Sequence, residues 1–115
     1  MGKNEHINYA NFNCQEDGST FIQGIRGVNG SDDVYIAGTL TVESNLAYGL
    51  LYKGPLVFNG NEGKWHKLMF TAEGVDDVVN TSCYGPNNLP NGDVQIVGSY
   101  KVASSSDTKG FYYEG

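Results

Sequence analysis

The sequence predicts an all-β domain made of two similar four-stranded antiparallel units. Three observations carry this reading. Apolar and polar residues alternate with period two over residues 33–43 and again over 93–103, the pattern of strands with one buried face. Sixteen glycines, eight tyrosines and five phenylalanines suit strands joined by tight turns. The stretch "DVYIAGTLTVESNLAYGLLYKG" (33–54) is echoed by "DVQIVGSYKVASSSDTKGFYYEG" (93–115), and each reads as a β-hairpin.

Taken in order, the elements fall into two phases. "EHINYANF" (5–12) is an expected strand, closed by the turn "QEDGS". "TFIQGIRG" (20–27) is the next, followed by "VNGSD" and the first hairpin with its loop "ESNL". The second phase opens with "GKWHKLMF" (63–70), which aligns Trp65 with Ile7 and Phe70 with Phe12. The turn "AEGVDD" leads to "NTSCYGPN" (80–87), then "NLPNGD" and the second hairpin with its loop "SSSDT". Residues 1–115 thus read as a single domain of two internal repeats, about 5–56 and 63–115.

Within each hairpin the alternation assigns the faces. Val34, Ile36, Gly38, Leu40 and Val42 share one side, as do Val94, Ile96, Gly98, Tyr100 and Val102. A glycine at the centre of both apolar faces predicts a bulge or a close approach by another strand or an aromatic ring. Four antiparallel strands in a period within about 40 to 60 residues are the mark of a β-propeller blade. Two blades in one chain do not close a ring, so this reading requires a homo-oligomer. The alternative is an eight-stranded β-sandwich, in which each sheet covers the apolar face of the other. Apolar residues on the second face (Tyr35, Ala37, Leu51, Val97 and Tyr112) favour blades, which are covered on both sides.

Charge bounds the partners. The net charge is −6 and Arg26 is the single arginine. An acidic surface repels phosphate backbones and anionic headgroups, so neither nucleic acid nor a membrane is an expected partner. No apolar run approaches the length of a membrane span. The polar start "MGKNEHINYANF" lacks the apolar core of a signal peptide, which places the chain in the cytoplasm unless a leader has been removed. Cys14 and Cys83 have no metal-type spacing and read as small buried or half-buried thiols, with a disulfide as the alternative in an oxidising compartment.

The second hairpin resembles the HAF repeats of exported bacterial proteins. That pattern runs from an Asn-Gly turn through a Val-Val-Gly strand and a polar loop to Gly-Phe-Leu-Tyr and a closing glycine. Asn91-Gly92, Ile96-Val97-Gly98 and Gly110-Phe111-Tyr112-Tyr113 carry the likeness. Ile36-Ala37-Gly38 and Gly49-Leu50-Leu51-Tyr52 carry a looser one. The resemblance implies a propeller-like repeat domain and assigns no activity.

Motifs for catalysis are missing from the sequence. His6 and His66 are the two histidines, and neither belongs to a metal-ligand or catalytic spacing. Asp32-Asp33 and Asp76-Asp77 sit in turns, where aspartate is favoured for backbone reasons alone. No cofactor and no metal are expected. Aromatic residues are the richer signal, because tyrosine and tryptophan offer a flat apolar face with a polar handle. They suit stacking on sugars or gripping a protein. Trp65, His66, Tyr52, Tyr84 and Tyr113 are therefore the candidate ligand-binding residues. The expected function is a non-enzymatic binding domain for carbohydrate or protein, acting as a homo-oligomer. A structural assembly module without a small ligand is the alternative.

Overall fold

The computed structural model describes residues 10–14, 17–43, 45–56 and 62–115, and within them the chain is all-β. Seven strands form: β1 (Ser19–Gly27), β2 (Asp33–Glu43), β3 (Leu46–Pro55), β4 (Lys64–Leu68), β5 (Val78–Asn88), β6 (Val94–Val102) and β7 (Lys109–Glu114). They join in one curled sheet in the order β1-β2-β3-β5-β6-β7, with β4 also paired to β3.

The sheet is two antiparallel meanders linked by a narrow seam. β1, β2 and β3 pair in sequence, as do β5, β6 and β7. β3 and β5 meet in parallel through Ala47 and Asn80. The strand around Trp65, which the sequence reading placed at the head of the second unit, pairs antiparallel with β3 instead. Among the described residues, the strand around Trp65 therefore belongs with β1–β3, and β5, β6 and β7 form the second meander. The expected strand over 5–12 lies largely outside the described residues.

Both meanders open with the same turn chemistry. Gly30 and Gly92 take positive φ values of 74° and 91°, a conformation that glycine adopts without steric cost. Val28 N–H donates to the Asp33 carbonyl at 2.9 Å, and Leu89 N–H to the Asp93 carbonyl at 2.9 Å. The Ser31 hydroxyl accepts from Asp33 N–H at 3.0 Å, and the Asn91 side chain accepts from Asp93 N–H at 3.0 Å.

The core is layered. One face of the first meander, with Val34, Ile36, Leu40, Leu50 and Tyr52, is covered by Phe12 and Cys14 of the preceding segment. Its other face, with Tyr35, Ala37 and Leu51, packs on Cys83, Val94 and Ile96 of the second meander. A sheet buried on both sides explains why β2 is almost wholly inaccessible from Tyr35 to Leu40, despite its alternating sequence.

A candidate ligand cleft between the two meanders

The five candidate residues divide among three environments. Tyr52 is fully buried. Its ring lies 5.0 Å from Phe12, edge-on, and 5.0 Å from Trp65, tilted, so the three rings form a packed aromatic cluster. The Tyr52 hydroxyl donates to the Pro55 carbonyl at 3.0 Å and accepts from Gly63 N–H at 3.0 Å. Burial raises its pKa above the ordinary tyrosine value; the Gly63 bond opposes this, and Asp33 and Glu62 add to it. Tyr52 thus ties Pro55 to Gly63, and Trp65 is half-buried beside it.

His66 and Tyr113 come together. Cross-strand partners share a face, and the register pairs Tyr35 with Lys53, Ala37 with Leu51, and Leu51 with His66. This row of the first meander faces Val94 and Tyr113 of the second across a cleft of about 390 Å³. Leu51, Val94 and the buried Tyr35 form its apolar floor, while Lys53, His66 and Tyr113 stand around it. The Lys53 ammonium lies 5.7 Å from the centre of the Tyr35 ring.

The far wall is held by the end of the chain. Gly115 N–H donates to the Val94 carbonyl at 3.1 Å, and Val94 N–H to the Gly115 carbonyl at 3.2 Å. A Cβ at Gly115 would lie 2.6 Å from the Tyr113 hydroxyl, so glycine lets that ring fold over the strand end. Nothing in the sequence spacing joins His66 to Tyr113; the packing of one meander on the other does.

Tyr84 lies elsewhere. It pairs with Val97, which pairs in turn with Tyr112, and all three are exposed in a row on the outward face of the second meander. The Tyr112 hydroxyl donates to Glu114 at 2.7 Å and accepts from the Gln95 amide at 3.0 Å. The Asn87 amide donates to Gln95 at 3.2 Å. This side-chain chain fixes the ring.

Among the described residues, no three His, Cys, Asp or Glu side chains converge as a metal site. His6 lies outside the described residues. Cys14 and Cys83 are free, buried thiols in separate clusters on opposite faces of the first meander.

No protein family, no characterised protein and no solved structure matches this chain. The class that fold and cleft define is an all-β domain with a small mixed apolar and polar cleft between two packed meanders.

Proposed function

We propose that the chain is a non-enzymatic binding domain that holds a small saccharide in the cleft between the meanders and works as a homo-oligomer. The cleft carries this reading. Its volume of about 390 Å³ falls in the range of small-ligand sites, about 300–1,000 Å³. Tyr113 supplies a flat ring for the apolar face of a sugar. His66 and Lys53 supply polar groups for its hydroxyls. A propeller-like arrangement of the two meanders fits the double burial of β2 and β3.

Glycan-array screening followed by titration calorimetry tests the reading. A saccharide is expected to bind the native chain, and Tyr113→Ala to weaken it at least about tenfold, as loss of one aromatic contact does. Absence of binding to every sugar sinks the saccharide assignment. A second reading, an assembly module without a small ligand, draws on the exposed row of Tyr84, Val97 and Tyr112.

A further inference from the structure

The interface between the two meanders joins unlike faces. The first contributes the face of Ala37 and Leu51; the second contributes the face of Cys83 and Ile96. Each of these faces has a counterpart on the other meander. Val97 and Tyr112 stand in the second hairpin where Ala37 and Leu51 stand in the first. The strand registers agree: Ala37 is opposite Leu51 and Val97 is opposite Tyr112. Likewise Ile22 is opposite Gly38, as Cys83 is opposite Gly98.

The counterparts of Val94 and Ile96, Val34 and Ile36, are buried like them, under Phe12, but others differ in cover. Ala37, Leu51 and Cys83 are buried in the interface, whereas Val97 is 49% exposed, Tyr112 54% and Ile22 47%. Around Ile22, the outer face of the first meander forms an apolar groove with Phe12, Ile25, Ile36 and Leu56. The chain therefore shows one interface formed, an open row on the second meander, and a groove left beside Ile22 and Ile25 at the edge of a face whose centre, Val34, Ile36 and Tyr52, is already covered by Phe12.

We propose that this row and this groove join two copies of the chain head to tail. The Tyr84–Val97–Tyr112 row of one copy seats in the groove beside Ile22 and Ile25 of the next, against the Phe12 ring that lines it. The contact is heterologous, so repetition closes into a ring or grows as a filament. This inference rests on the self-association part of the proposed function. It leaves Tyr113 and His66 untouched.

Sedimentation velocity over a concentration series provides the test, with Val97→Glu and Ile25→Glu as variants. Both substituted side chains are exposed. A melting curve checks that each variant is folded, and Tyr112→Ser replaces Val97→Glu should the latter unfold. The native chain is expected to associate at micromolar concentration, and each variant alone to sediment as a monomer. An equal mixture of the two variants retains one good row and one good groove. It is expected to yield dimers and nothing larger.

A native chain that stays monomeric at every concentration overturns the proposal, and the face then belongs to a different protein. Variants that associate like the native chain also overturn it, as does a mixture that remains monomeric. Saccharide titration on Val97→Glu reads the cleft separately. Loss of assembly with retained sugar binding, or the reverse, therefore tells the two proposals apart.

Discussion

Cys83 shows what burial does to a single side chain. Its thiol is fully buried among Ala37, Leu51 and Ile96, and desolvation pushes its pKa up to about 12 from an ordinary 9.0. The backbone N–H of Leu50 offsets only part of that. The folded state holds the proton more tightly than the unfolded chain, so the associated stability is intact below pH 9.0 and is lost as pH rises toward 12. Denaturant melts are expected to show a loss of about 1 kcal/mol from this group by about pH 10. Cys83→Ala should flatten the slope, and what slope remains comes from groups shifted the same way, Tyr52 among them. Since the thiolate is the reactive form, a thiol reagent at neutral pH is expected to label Cys83 only after denaturation. Equal labelling of native and denatured protein would contradict this. The sequence reading of Cys83 as a small buried thiol agrees with its place in the core. Its neighbours were illegible, because they come from strands distant in sequence.

At the scale of the element, the central glycines mark close approaches by the neighbouring paired strands. A Cβ at Gly38 would run into the carbonyl oxygen of Phe21 on β1. One at Gly98 would meet the Ser82 carbonyl on β5 and lie 2.7 Å from the ring of Phe111 on β7. Backbone cannot yield as a side-chain tip can, so Gly38→Ala and Gly98→Ala are each expected to destabilise by about 2–3 kcal/mol. Urea unfolding midpoints measure this, and unchanged midpoints would show that the strands do not lie this close. The glycines were legible as a close approach because they interrupt an apolar face at the same place twice. The hairpins were legible because alternation and turn residues agree. Strand β4 was legible as a strand but not in its pairing. "GKWHKL" looks the same whether it follows β3 or precedes β5, and the choice depends on which edge is free in three dimensions.

For the whole molecule, the union of the meanders is the deciding contact. The Asn88 amide on β5 donates to the Gly27 carbonyl at 2.8 Å and accepts from Asn29 N–H at 3.0 Å. Thr39 Oγ1 on β2 lies 2.8 Å from Ser82 Oγ on β5, and it also donates to Gln23 at 2.9 Å. These polar links pin the direction in which one meander lies on the other, while the apolar cluster between them supplies the driving force. Asn88→Ala removes two exposed hydrogen bonds and is expected to cost about 1 kcal/mol. Hydrogen exchange should then quicken at the β1–β2 and β5–β6 turns more than within β2. A uniform change across the chain would place the effect elsewhere.

The sequence by itself determined the all-β class, the two hairpins, the Asn-Gly turns and which residues share a face within each hairpin. Those properties follow from local rules: side chains alternate along a strand, and only certain residues fit a turn. Tertiary structure decided that Tyr52 and Trp65 belong to a packed aromatic cluster, that His66 and Tyr113 flank one cleft, and that Tyr84 lies on an outward row. Alternation says which residues lie on the same side of a strand. It does not say which of two apolar sides another sheet will cover, because that depends on the shape of the packed whole.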